Sequence, residues 1–279
     1  MIDALRDVFG SALKSLDVLY TLAGHKPCAR ILVKEGDLSK VRAFLKNKNL
    51  KTAASDFRIQ KESGAAESYS DKGVRLDADS GEEGYYLVYA SKDASLAQQA
   101  KHFEEKNDHL HLGLTLGYPK CCCEFFARNF PAESKKKNDY TLGALRGSEG
   151  YSFPFQNNIA ARFLDVGLLS HFPCHFGCEA SKKIAEKNLE AVKKHSSEWA
   201  TLLTGMLQGV ALYSEENGIF LLRNFSLKGN TVFYSTVMAS ANNEIYKQLR
   251  EAPYLEILGK NAIKLNGNEI HGFGVMVFT

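Results

Sequence analysis

Ile2, Leu5, Val8, Phe9, Leu13, Leu16 and Leu19 recur along IDALRDVFGSALKSLDVLYTL at helical spacing, so the chain is predicted to open on one amphipathic helix. Gly24 and Pro27 break that pattern. ARILVKE then reads as a buried strand, and DLSKVRAFLKNKNL as a helix with Asp37 available as its N-cap. DFRIQ and EGYYLVYAS read as strands on either side of a polar segment, roughly 61–83, that reads as a loop. SKDASLAQQAKHFEEKN follows as a second amphipathic helix pattern. This order of elements predicts a small α/β sandwich over residues 1–107. It contains no fixed-period repeat and no glycine-rich phosphate loop of the GxxxxGK[ST] or GxGxxG kind.

The texture changes near His109. Between there and Trp199 lie five of the six cysteines and five of the eight histidines, among short helical patterns with irregular starts. Beyond residue 200 the pattern turns to strands: MLQGVALYS, GIFLLRNFSL and NTVFYSTVM, with Lys228–Gly229–Asn230 as a turn. A helix is predicted at about 241–251, then a closing hairpin, AIKL–NGNE–IHGFGVMVF, turned at Asn266–Gly267. The expected fold class is α+β. Its three parts are an α/β sandwich (1–107), a helical cysteine-rich core carrying a metal site (108–200), and a β-rich C-terminal part packed on that core (201–279).

The cysteines are the densest chemical signal. GYPKCCCEFFARNFP sets Cys121, Cys122 and Cys123 side by side. Pro119 suits the first turn of a helix, where its missing N–H would have no partner anyway. A helix starting at Pro119 or Lys120 puts Cys122, Phe125, Phe126, Asn129 and Phe130 on one face, with Pro131 ending it. Adjacent helical residues diverge by about 100°, so three neighbouring thiols cannot meet at one point. Cys122 shares the buried face, Cys121 joins it from the first turn, and Cys123 points elsewhere. A helix N-terminus also favours thiolate, the form that binds metals and attacks electrophiles.

The second concentration is SHFPCHFGCEASKKIAEKNLEAVKKH, which carries His171, Cys174, His175 and Cys178 within eight residues and leads into an amphipathic helix. Cys174 and Cys178 lie four apart, so either a helical turn or a loop through Gly177 presents both sulfurs to one centre. The CxxxC spacing differs from the CxxC common in structural zinc sites. The competing reading is that these are buried cysteines beside satisfied histidines. His109 and His111, in DHLHLG, are expected on one side of a strand. Cys28, beside a predicted core strand, is read as packing.

Composition narrows the setting. The chain has 279 residues, 44% hydrophobic and 24% charged, which is ordinary for a globular protein of about two domains. A net charge of +3 does not by itself argue for nucleic acid. The lysine runs at 135–137, 182–183 and 193–194 read as solvated surface. No apolar run approaches a membrane span, and Asp3, Arg6 and Asp7 interrupt any signal-peptide core. The expected location is the cytoplasm, without membrane association, where cysteines serve as metal ligands, reactive thiols or packing rather than disulfides.

GYPKCC followed some fifty residues later by HFPCHFGC resembles DUF483, an uncharacterised prokaryotic family found largely in archaea, whose pattern is GYPxCC, an asparagine and then HxPCxxxC. The match covers the middle third of the chain. It implies that Gly117, Tyr118, Pro119, Cys121, Cys122, Asn158, His171, Pro173, Cys174 and Cys178 belong to the shared motif, with Cys123 outside it. It implies no reaction.

Two cofactors fit such a donor set. Four thiolates, or three and an imidazole from His171, His109 or His111, suit tetrahedral Zn2+. Three cysteines suit a [4Fe–4S] cluster with one iron open to substrate. The expected ligands are Cys121, Cys122, Cys174, Cys178 and His171. Tyr118, Asn158 and Arg162 are the candidate substrate contacts. The favoured function is a metal-dependent enzyme performing sulfur transfer, desulfuration or modification of a small molecule or nucleoside. The alternative is a non-catalytic structural-zinc module that binds RNA or an acidic partner. A third reading is metal-free thiol chemistry at Cys121 and Cys122 with His171 as base.

Overall fold

A computed structural model describes residues 1–61, 73–77, 80–135 and 139–279. Much of the predicted 61–83 loop, and Lys136 and Lys137 of the first lysine run, fall outside the described residues. The fold is α+β, with several sheets. The chain divides into two compact units, Met1–Pro131 with Glu186–Ser197, and Ala132–Ala185 with Glu198–Thr279.

The first unit begins with α1 (Ile2–Phe9) and α2 (Ala12–Ala23) rather than one continuous helix. Gly10, at φ 64°, takes the left-handed conformation that closes α1, and the Ser11 side chain caps α2 by accepting from Lys14 N. The apolar stripe continues across the break, which is why periodicity alone joined the two. β1 (Cys28–Lys34), α3 (Leu38–Asn47), β2 (Lys51–Lys61), β3 (Gly73–Arg75), β4 (Tyr85–Ser91) and α4 (Ala94–Glu105) follow. Asp37 stands at the N-cap of α3, as its sequence suggests, without a side-chain cap bond. The strands form one antiparallel sheet in the order β1-β4-β2-β3.

α5 (His109–Thr115) corrects the strand expected at DHLHLG. Asp108 caps it, accepting from His111 N at 3.1 Å, and Leu112 and Leu116, four apart, are buried. One core unites Cys28, Leu32, Leu87 and Tyr89 of the sheet with Ala97 and Ala100 of α4 and with Leu112 and Leu116. α6 (Lys120–Glu133) carries the cysteine triplet in its first turn. Pro131 does not end it; it lies inside, in the last turn of a helix that runs to Glu133.

The second unit holds α7 (Thr141–Arg146) and β5 (Ser152–Phe153). Two short 3-10 turns follow, Phe155–Asn157, with Asn158 at its C-cap, and Ala160–Leu164, which carries Arg162. α8 (Glu179–His195), which belongs to the first unit from Glu186 onward, and α9 (Ser197–Leu207) precede β6 (Gly209–Ser214), β7 (Gly218–Arg223), β8 (Ser226–Lys228), β9 (Thr231–Phe233) and β10 (Thr236–Ala239). Then come α10 (Glu244–Glu251), β11 (Tyr254–Gly259), β12 (Ala262–Leu265), β13 (Asn268–His271) and β14 (Gly274–Phe278).

These strands make two five-stranded sheets, β10-β7-β6-β14-β5 and β13-β12-β11-β9-β8. They share one apolar core, with Val210, Phe220, Leu222 and Val275 from the first and Val232, Leu255, Ile257 and Ile263 from the second. GIFLLRNFSL and NTVFYSTVM therefore each split between the sheets: β7 and β10 belong to the first, β8 and β9 to the second. Asn224, at φ 50°, sits where the chain leaves one for the other. The Asn266–Gly267 turn joins β12 to β13 with both residues at positive φ (51° and 83°), but β14 leaves that hairpin to pair with β6 and β5.

Candidate metal centre

Cys121 and Cys122 occupy the first turn of α6, with Sγ atoms 3.8 Å apart. The Cys122 and Cys123 amides both reach back to the carbonyl of Pro119, so the proline begins the turn that aims the thiols. The approach to this helix is tightly fixed. Gly117 sits at φ +84°, and a Cβ there would lie 2.4 Å from Pro27 Cδ, so only glycine fits. The Tyr118 hydroxyl accepts from Lys26 Nζ at 3.2 Å, and that ammonium also donates to Asp17 Oδ1. The other oxygen of Asp17 accepts from Arg30 N at 3.2 Å. Burial pushes the Tyr118 phenol up to about 12, against the opposing pull of Lys26, so it stays neutral and serves as an anchor.

Lys26 and Asp17 are both buried, and removing one charge strands the other. Lys26→Met is expected to lower the unfolding free energy by about 3–5 kcal/mol, measured by urea titration. A loss under about 1 kcal/mol would remove the pair from the account of how this segment is held.

The second cysteine pair is held by a different set of contacts. The Cys178 amide donates to the His175 carbonyl at 3.0 Å, and the Lys182 amide donates to the Cys178 carbonyl at 3.0 Å, which puts Cys178 at the N-cap of α8. Between the two cysteines, Phe176 is fully buried against Phe153 and Phe278, with ring centroids 5.2 and 5.4 Å away. Its amide donates to Ser148 Oγ at 2.8 Å. Gly147 passes so close that a Cβ there would lie 3.1 Å from the Cys174 carbonyl oxygen.

The four sulfurs of Cys121, Cys122, Cys174 and Cys178 all lie within 4.8 Å of one another. Cys122 and Cys178 are buried, Cys174 is intermediate and Cys121 is exposed. This is a tetrad that can hold a metal ion. Cys121 and Cys122 come from the first turn of a 14-residue helix and Cys178 from the N-cap of a 17-residue helix, where the backbone dipole favours negative sulfur, and Cys174 comes from the loop before that cap. Cys123, though buried beside them, stands outside the group and donates to the Tyr118 carbonyl at 3.7 Å. Cys28 is fully buried in the core, and burial pushes its thiol up to about 12.

The expected histidines are not in the group. His171 is buried with Nε2 2.9 Å from Ser181 Oγ. His109 packs against the Phe126 and Phe130 rings, where burial lowers its pKa. His111 Nδ1 lies 2.7 Å from Asp108 Oδ2, and its ring stacks on Phe103. Two residues apart on a helix, the pair faces different ways. Of the proposed substrate contacts, Asn158 is buried with its amide nitrogen donating to the Leu207 carbonyl and its oxygen accepting from Ala161 N. The Arg162 guanidinium stacks over the Phe172 ring at 4.1 Å. Sequence reasoning passed over Phe176 and Ser148, and the one local signal for Phe176 is a large apolar residue set between two cysteines. Among the described residues no helix is long and apolar enough to cross a membrane.

No family model, curated protein or solved structure matches this chain.

Proposed function

We propose that Cys121, Cys122, Cys174 and Cys178 bind a single tetrahedral ion, zinc, and that this closed site is structural. The supporting observation is the compactness of the tetrad. Thiolates on one zinc lie about 3.8 Å apart, as tetrahedral bonds of about 2.3 Å require. The four sulfurs fall within 4.8 Å, and one pair is already at 3.8 Å. Cysteines bound to different irons of a cluster stand farther apart than thiolates on one ion, so the spacing supports one ion over [4Fe–4S]. Four protein ligands leave no position for substrate, which is the pattern of structural rather than catalytic zinc. On this reading the protein is a metal-stabilised module. The family resemblance in GYPKCC and HFPCHFGC belongs to the same proposal and supplies no activity of its own.

The exposure of Cys121 favours a second reading. There, the three less exposed cysteines hold the ion and Cys121 is exchangeable, which opens a coordination position for sulfur chemistry on a small molecule or nucleoside. Cys121→Ser separates the two. A closed structural site loses most of its bound metal and its thermal stability in this variant. An open site keeps the ion and the fold, and its cobalt-substituted form changes spectrum when a small thiol is added.

A further inference from the structure

We infer that Asn157 is the positioning residue of the second cysteine pair, and that without its amide the loop Cys174–Cys178 loses the geometry that binds metal. The inference rests on the tetrad being a metal site.

Asn157 is fully buried, and its one amide nitrogen donates to two carbonyls of the loop, Phe176 at 2.9 Å and Cys178 at 3.1 Å. These carbonyls flank the turn that delivers Cys178 to the start of α8. A single planar group spanning both fixes their separation and direction, and with them the Cα–Cβ direction at Cys178. The Phe176 amide is held independently by Ser148 Oγ, itself donating to the Ala144 carbonyl at 2.7 Å. The loop is thus gripped through its carbonyls by one side chain and through an amide by another.

The opposite end of the Asn157 amide is the informative feature. Its Oδ1 is buried with no hydrogen-bond partner among the described residues. An orphaned buried acceptor costs about 1–3 kcal/mol. Asparagine here leaves one end unsatisfied so that the other can make two bonds to a ligand-bearing loop. Asn158, the neighbouring residue in the motif, has both ends of its amide satisfied by Leu207 and Ala161, away from the cysteines' carbonyls. Position 157, rather than 158, therefore acts on the metal. Groups that orient metal ligands from behind typically change affinity by about 10–100-fold when removed.

The test compares the full-length protein with Asn157→Asp, Asn157→Ser and Asn158→Ala. Asn157→Asp keeps the shape but sets a carboxylate oxygen against two carbonyl oxygens; Asn157→Ser removes the donor without adding charge. Zinc affinity is measured by chelator competition, and ligand geometry by the thiolate-to-cobalt charge-transfer bands of the Co2+-loaded protein. Both Asn157 variants are expected to bind zinc about 10–100-fold more weakly, with shifted cobalt bands, while Asn158→Ala is expected to lose stability and keep wild-type bands. Unchanged affinity and bands in either folded Asn157 variant would overturn the inference and leave the metal site standing. A wild-type protein that binds no zinc would overturn both. A wild-type measurement needs no variant to fold: the Asn157 side-chain amide protons should exchange slowly with metal bound and much faster after chelation. Equal exchange in the two states would also overturn the inference.

Discussion

Cys174→Ser and Cys178→Ser are each expected to strip the protein of its metal, while Cys123→Ser and Cys28→Ser retain it. A serine hydroxyl does not ionise near neutral pH, so each of the first two changes removes a charged ligand from the tetrad. Binding energy at a site absent from the unfolded chain is folding energy, so metal content and stability should fall together. The loss is expected at several kcal/mol, a fraction of the roughly 10–16 kcal/mol that structural zinc supplies in small domains. Cys123 and Cys28 are as buried as Cys122 and Cys178 but stand outside the group, so their variants should cost only what a small buried substitution costs, about 1–2 kcal/mol. The measurement is metal content by mass spectrometry beside urea unfolding for all four proteins. Equal metal loss across the four would mean that burial, rather than convergence on one ion, governs these thiols.

Chelation of the wild-type protein is the second large effect. The ligand pairs stand some fifty residues apart in sequence, so an ion binding both closes a long loop of chain. A structural site predicts that added chelator removes the ion and the helical circular dichroism in one transition, with a midpoint that moves with chelator concentration. Protein concentration should leave that midpoint unchanged. Loss of metal at full ellipticity would instead support the open site in which Cys121 exchanges.

The parts of the site that could be read from sequence are those set by local rules. Pro119 before three cysteines marks a helix start, and the 100° step between helical neighbours separates Cys123 from the other two; the structure has both features. Asn266–Gly267 likewise identifies its turn because positive φ suits those two residues. Harder cases arose wherever two periods share one pattern. The alternation HLHLG suits a strand, but Asp108 as a cap and the Leu112–Leu116 spacing carry the helical signal, and in a helix the two histidines diverge. The choice between Asn157 and Asn158 was not legible at all. They are neighbours at the end of a 3-10 turn, and only the packing of distant segments decides which amide meets the cysteine loop. In the C-terminal strands, an apolar run reports burial but not which of two sheets will take it, so β7 and β8 read as one strand.

Two pairs of cysteines, some fifty residues apart in sequence, are proposed to share one ion. X-ray absorption at the metal edge of purified, chelator-free protein tests it most directly, because it counts the sulfurs around the metal and reads their distance. The account predicts one metal per chain with four sulfur neighbours at about 2.3 Å and no second metal in the next shell. An iron–iron vector with acid-labile sulfide, or a protein that purifies without metal, would contradict it.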